Sequence, residues 1–137
     1  NVFSYIHNSA GEGLGKIGVL VDLDTELENA NEVGKNMCMH IAALNPVSIS
    51  KNDFDLNLIE SEKEIIKQQL KDSGKPDDIL AKMMDGKISK FINENTLLGQ
   101  KFVIDPSVSV SEYLDKISNE KNVNISIKKF IRFEIGS

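Results

Sequence analysis

The sequence predicts an α+β fold, in which a small antiparallel sheet packs against helices and is interrupted by a protruding antiparallel helical hairpin. Stretches of alternating side chains lie near both ends of the chain, and stretches of helical period lie between them. The middle of the chain is also more charged than either flank. Terminal strands around central helices indicate one sheet with an insertion. We expect a discontinuous core subdomain over residues 1–50 and 104–137, and an inserted helical hairpin over residues 51–103.

Three alternating stretches predict the strands of this sheet. Val2 to His7 divides into two sets of alternate residues, and Lys16 to Asp22 is rich in β-branched residues. Residues 8–15 contain three glycines, which favours a flexible turn between two antiparallel strands. The last stretch, Asn124 to Ile135, changes phase at Lys128-Lys129, which indicates a β-bulge. We expect the last strand to lie beside the first two in one sheet.

Four amphipathic stretches predict helices. The first runs from Leu27 to Leu44 and ends at Asn45-Pro46, because proline disfavours helical geometry in the residue before it. Helices over Leu56 to Asp72 and Asp77 to Glu94 are joined by so short a link that they must run antiparallel. A capping box of Ser and Glu opens a short helix over residues 109–117.

Composition and charge disfavour several function classes. Lys+Arg 16 against Asp+Glu 21 gives a net charge of −5 without a long basic run, whereas nucleic-acid binding depends on clustered Lys and Arg. Direct nucleic-acid binding is therefore not expected, and an RNA-binding module finds support only in Lys128-Lys129 and neighbouring lysines. No apolar run approaches the roughly 20 residues of a membrane span, so no membrane contact is expected.

The single cysteine and the first residues bear on where the protein is located. Cys38 cannot form an internal disulfide or a multi-cysteine zinc site, which fits the reducing cytoplasm. The first residues have no signal-peptide pattern and read as a strand already under way. We expect a cytoplasmic protein of which this chain is one part.

Five segments, in this order, together resemble bacterial elongation factor Ts, the guanine-nucleotide exchange factor of elongation factor Tu. They are Tyr5-Ile6-His7 with Ile17 to Val21; Met39 to Ala43 with Pro46; Ser73 to Pro76 with Lys82-Met83; Leu98-Gly99-Gln100 with Phe102-Val103; and Phe130 to Glu134. The segments span almost the whole chain. The resemblance implies the second half of the family's core together with its helical hairpin, called the dimerisation domain.

The resemblance also implies a partner, elongation factor Tu, and no enzymatic activity. By position, His7 and Val103 match family residues that contact elongation factor Tu, so both are candidate partner-binding residues. The family's nucleotide-release motif, Thr-Asp-Phe-Val, is not present in this sequence. This region is therefore expected to contribute to binding only. The alternative function is self-association through the helical hairpin, which would give a homodimer.

Other candidate sites have simpler structural explanations. His40 lies among core positions of the first helix, where a histidine is usually a hydrogen-bonded structural residue. Cys38 is expected to be buried, where a thiol is inert. Three acidic residues alternate at the exit of the second strand but lack the remaining features of a calcium loop, and they are Asp22, Asp24 and Glu26.

The glycines of residues 11–15 lack the Gly-Lys-Ser/Thr of a phosphate-binding loop. The two histidines, His7 and His40, have no carboxylate at a recognisable metal-binding spacing. No catalytic residue, cofactor or metal ion is predicted.

Overall fold

The structure is a computed structural model that describes residues 1–8 and 16–135. This part of the chain forms three strands and four α-helices. They are β1 (Val2–Asn8), β2 (Lys16–Thr25), α1 (Asn31–Leu44), α2 (Leu56–Leu70), α3 (Asp77–Asn95), α4 (Val110–Lys121) and β3 (Ile125–Ile135), with a single 3₁₀ turn at Lys51–Asp53. The strands form one antiparallel sheet, so the predicted α+β class is confirmed. The predicted turn between the first two strands falls almost entirely outside the described residues.

The sheet has the order β1-β2-β3, with β2 in the centre. Both β1 and β3 are antiparallel to β2, as expected when the first two strands form a hairpin and the last strand lies beside it. Asp22 pairs with Lys129 but the next residue, Leu23, pairs with Ile127, so Lys128 is the extra residue of a bulge. The predicted bulge is confirmed. It allows β3 to present apolar side chains to the core on both sides of the shift.

The second strand is longer than the sequence predicted, since it continues past Asp22 to Thr25. Leu23 is almost completely buried, and its N–H donates to the Asn1 carbonyl oxygen at 2.8 Å. On the other side, residues 23–25 pair with β3. The acidic residues interrupt the apolar pattern here, but pairing with strands distant in sequence extends the strand.

Helix α1 lies against β1 and β2 and forms the centre of the core. Gly34 permits close packing there, because a Cβ at this position would lie 2.2 Å from Cγ of Phe3. The helix ends at Leu44, and the next residue, Asn45, has a left-handed φ of 47° just before the proline. Leu44, the last residue of the helix, is 40% exposed.

The predicted start of α1 was wrong, since the helix begins at Asn31 instead of Leu27. The Leu27 N–H donates to Oγ1 of Thr25 at 3.2 Å, which holds the chain in a side-chain-stabilised turn after β2. Residues 28–29 continue as a turn, and Ala30 caps the helix without a side-chain hydrogen bond. The apolar residue at 27 therefore packs against the core from a turn, and periodicity alone could not distinguish this from a helical position.

Helices α2 and α3 form the predicted hairpin and pack against each other. Gly74 has a φ of 70° in the link, a left-handed conformation that glycine adopts without strain. Helix α2 ends at Leu70, two residues before the predicted end, because the turn begins at Lys71. Near the base, the rings of Phe54 and Phe91 meet edge to face at 5.8 Å.

The fourth helix has the predicted capping box. The Glu112 N–H donates to Oγ of Ser109 at 3.1 Å, and the Ser109 N–H donates to Oε1 of Glu112 at 3.0 Å. The helix continues to Lys121, four residues beyond the predicted end, and stops at Asn122 with a left-handed φ of 54°. Its inward residues pack against the core, and they are Tyr113, Leu114 and Ile117.

The helices cover one face of the sheet, and the opposite face has exposed apolar side chains. We call this surface the open face, and its residues are Val2, Ile6, Leu20, Ile131 and Phe133. The ring of Phe133 lies over Gly18, where a Cβ would be 2.3 Å from Cζ of the ring.

Candidate partner-binding surface

His7 is on the helix-covered side of the sheet, near the end of β1. In the register of the sheet it pairs with Ile17, which pairs with Glu134 on β3. Its side chain is exposed, and Nδ1 lies 3.1 Å from the Tyr5 hydroxyl oxygen. A hydrogen bond between alternate residues of one strand restricts the imidazole rotamer while Nε2 stays available to a partner. His7 is therefore accessible and oriented, as a contact residue needs to be.

Arg132 forms the other side of this surface and was not singled out by the sequence. In the register of the sheet it pairs with Val19, which pairs with Tyr5. Its guanidinium donates to the Ala42 carbonyl oxygen from Nε at 3.4 Å and Nη2 at 3.2 Å, and to Oε1 of Glu134 from Nη1 at 2.9 Å. Only 13% of the arginine side chain is exposed, against 64% of the Glu134 side chain. The arginine anchors β3 to α1 and holds an accessible carboxylate in the row of His7.

Val103 lies on a different segment, between α3 and α4. Its side chain is 37% exposed, and its main-chain N–H donates to Nδ1 of His40 at 3.1 Å. No hydrogen bond joins Val103 to His7 within residues 1–8 and 16–135. Val103 is connected to the C-terminal half of α1 through His40. Arg132, which holds Glu134 in the same row of the sheet as His7, is connected to this half of the helix through the Ala42 carbonyl oxygen.

His40 is fully buried and hydrogen-bonded, as expected for a structural residue. Since Nδ1 accepts from the Val103 N–H, the ring proton must be on Nε2, which donates to Oε1 of Gln100 at 3.0 Å. The Gln100 amide in turn donates to the Glu94 carbonyl oxygen at 3.1 Å, near the end of α3. Burial lowers the pKa of His40 below its ordinary value, so the ring is neutral near pH 7. This network connects α1, the end of α3 and Val103.

Cys38 is also fully buried, and its Sγ donates to the Phe3 carbonyl oxygen at 3.7 Å. Burial raises the pKa of the thiol to about 11, so the thiol is protonated and unreactive at neutral pH. Within residues 1–8 and 16–135, no three His, Cys, Asp or Glu side chains lie close enough together to hold a metal ion. The same residues include no helix long and apolar enough to cross a membrane.

The sole Asp-Phe pair in the sequence has a structural role at the base of the hairpin. Asp53 accepts hydrogen bonds from the N–H groups of Ile49 at 3.0 Å and Ser50 at 2.7 Å. Phe54 is 5% exposed and packs against Phe91. Neither side chain is arranged to insert into another protein.

Comparison with known proteins finds relatives of one family. A family model described as elongation factor TS matches residues 1–137. The chain is 51% identical over 111 residues to elongation factor Ts of Paracoccus denitrificans, a match that covers 81% of this chain and 38% of that protein. It is 39% identical over 137 residues to elongation factor Ts of Agrobacterium fabrum, covering 98% of this chain and 44% of that protein. For elongation factor Ts of Sphingopyxis alaskensis the identity is 41% over 137 residues, with coverage of 98% and 44%.

The chain therefore belongs to the elongation factor Ts family. It spans less than half the length of these curated relatives.

Proposed function

We propose that this chain is part of a translation elongation factor Ts that binds elongation factor Tu and promotes the release of GDP and its exchange for GTP during protein synthesis in the cytoplasm. Family membership over residues 1–137 supports the proposal. The portion described here contributes binding, not catalysis.

The observation that carries the proposal is the arrangement around His7. The imidazole is exposed, is oriented by Tyr5 and lies in the same row as the exposed Glu134 carboxylate. Arg132 fixes this end of β3 to α1, so the surface is largely formed before a partner arrives. A preformed surface loses little conformational entropy on association. Val103, whose main-chain N–H donates to His40 of α1, extends the contact.

Titration calorimetry with GDP-free elongation factor Tu tests this assignment. The chain should bind, and His7→Ala should weaken binding by about fivefold or less, since most interface residues contribute about 1 kcal/mol or less. Ile6→Ala is the matched control, because Ile6 is the neighbouring exposed residue on the open face. An equal loss in the control would assign the contact to the open face. Absence of binding at high concentration would refute the proposal for this chain.

Nucleotide release is assigned to a part of the factor outside this chain. The release motif that the family resemblance implies is not in this sequence, and the Asp53-Phe54 pair is engaged within the hairpin base. Only differential affinity for the two nucleotide states of the partner can shift its equilibrium. This chain therefore holds the partner without distinguishing its nucleotide states.

We also propose that residues 51–103 form an insertion in a core made of residues 1–50 and 104–137. The chain leaves and returns at one place, where the N–H groups of Val47 and Leu97 donate across the base to Asn95 and Ser48 at 2.8 Å. Leu97 and Phe102 pack in the main core, so the separable part of the insertion ends near Thr96.

The alternative function, self-association through the hairpin, has one specific observation in its favour. Several apolar side chains on the hairpin are exposed, among them Leu56 at 74% and Ile65 at 51%. Sedimentation of the chain over a range of concentrations tests it. A dimer that dissociates on Leu56→Ser with Ile65→Lys would favour this alternative, whereas a monomer at high concentration would reject it.

A further inference from the structure

A groove of about 890 Å³ lies between the start of α1, the α4 helix and residues 102–105. It is on the helical side of the molecule, and neither His7 nor Arg132 lines it. Its walls combine apolar and acidic side chains. This combination suits a ligand that is itself amphipathic and basic.

The floor of the groove is apolar, and ring stacking and a hydrogen bond hold its side chains in place. The rings of Phe102 and Tyr113 stack at 4.2 Å with planes 21° apart. The Asn36 side-chain amide donates to the Tyr113 hydroxyl oxygen at 3.0 Å, which fixes the tyrosine ring against the phenylalanine. Ile104, 49% exposed, adds accessible apolar surface at one edge. Phe102 is only 2% exposed, so it supports the tyrosine ring from within the core while Tyr113 and Ile104 offer the accessible surface. A floor fixed in this way can accept apolar side chains without reorganising.

The rim of the groove is predominantly acidic. Its exposed acidic residues are Glu26, Glu28, Glu32, Asp105 and Glu120, and its basic residues are Lys116 and Lys121. None of these five carboxylates forms a salt bridge within residues 1–8 and 16–135, although two lysines belong to the same rim. The carboxylates are contributed by the β2–α1 connection, by α1, by α4 and by the segment after Phe102, so they surround the floor. Opposite charge on a partner would be attracted from several sides.

We propose that this groove binds a basic amphipathic segment of a partner protein, whose apolar side chains pack on Tyr113, backed by the buried Phe102, and on Ile104, while its Lys or Arg side chains face the acidic rim. Charge complementarity selects this occupant. Nucleic acid and anionic membrane surfaces are repelled by the same carboxylates. The proposal does not depend on the proposed binding of elongation factor Tu.

The test uses a synthetic fluorescent peptide of about 14 residues, with leucines at helical spacing on one face and lysines on the other. Fluorescence anisotropy should show binding that weakens with salt, because exposed charges are screened. Amide chemical-shift changes should map to residues of the groove. A peptide with glutamates in place of the lysines should not bind. Equal binding of the glutamate peptide, or shifts confined to the open face, would overturn the proposal.

A pair of charge-reversed variants makes the test specific. Glu28→Lys with Glu120→Lys changes two rim carboxylates and should weaken binding of the lysine peptide by about tenfold or more, since each exposed pair contributes up to about 1 kcal/mol and reversal adds repulsion. Neither position is in the first turn of a helix, so the fold should persist, and thermal unfolding verifies it. Asp72→Lys with Asp85→Lys alters the formal charge equally at exposed positions on the hairpin. Similar weakening in this control would mean that only net charge is sensed, and would overturn the proposal.

The same peptides and variants distinguish two other possible occupants of the groove. A second copy of the chain would show as self-association that the groove variant abolishes without any peptide. The remainder of the longer polypeptide would show as loss of peptide binding in the full-length factor. Either result would overturn a partner segment as the occupant. Peptide binding and elongation factor Tu binding are measured separately, so the failure of one proposal leaves the other intact.

Discussion

Replacing His40 with phenylalanine should destabilise the protein strongly, although the ring size is nearly preserved. His40 is fully buried and accepts the Val103 N–H while donating to Gln100. Phenylalanine can do neither, so a part-buried donor, the Val103 N–H, and a buried acceptor, Oε1 of Gln100, lose their partners. At about 1–3 kcal/mol for each unsatisfied group, and with partial relaxation, we expect a loss of about 2–4 kcal/mol. For a chain of this size that corresponds to a fall in Tm of about 6–14 °C.

The same residue predicts a pH dependence whose sign follows from burial. The folded state has a lowered His40 pKa, whereas the unfolded chain has the ordinary value of about 6.5. As the pH falls below about 6.5, the unfolded state takes up a proton that the folded state resists, so stability decreases. The slope is at most about 1.4 kcal/mol per pH unit, and it ends at the folded pKa. Stability is fully retained above pH 7.

Urea unfolding followed by circular dichroism between pH 5 and pH 8 measures both effects. His40→Phe should lower the midpoint and remove the loss of stability on the acid side between pH 7 and pH 5. His7→Ala is the matched control, because it removes the other histidine from an exposed position and should leave the stability near wild type. If His40→Phe unfolds at the wild-type midpoint, or if the acid-side loss disappears in His7→Ala instead, the reasoning about the buried network is wrong.

Three further predictions follow from the packing and the hairpin. Gly34→Ala should destabilise by about 1–3 kcal/mol because its Cβ would overlap the Phe3 ring, whereas Gly86→Ala in α3, with nothing within 4 Å, should stabilise by up to about 1 kcal/mol. Thermal unfolding distinguishes the two signs, and equal effects would contradict the close approach. Replacing residues 52–96 with a short linker should leave cooperative unfolding intact, and a gradual transition would argue against a separable insertion. An excess of this chain should have little effect on the rate at which elongation factor Tu releases fluorescent GDP, measured by stopped flow. Acceleration of tenfold or more, about 1.4 kcal/mol of barrier, would show that this part of the factor acts on the nucleotide site.

The sequence by itself determined the elements whose signals are local. Alternation marked all three strands, Asn45-Pro46 marked the end of α1, and the capping box of Ser109 marked the start of α4. The phase change at Lys128 located the bulge before any partner strand was known. Family membership was also readable, because the five matching segments keep their order along the chain. The candidates His7 and Val103 came from that resemblance alone, and their roles stay predictions.

Tertiary structure decided what depends on residues distant in the chain. The extension of β2 to Thr25 requires pairing with Ile125, and the anchoring of Arg132 requires the Ala42 carbonyl, 90 residues away. The partners of His40 likewise come from residues 60 or more positions further on. Alternation could separate the two faces of each strand but could not say which face the helices cover. Only the packing of α1 and α4 decided that the open face is left exposed and that a groove with an acidic rim forms on the other side, because burial depends on contacts formed between segments that no local pattern relates.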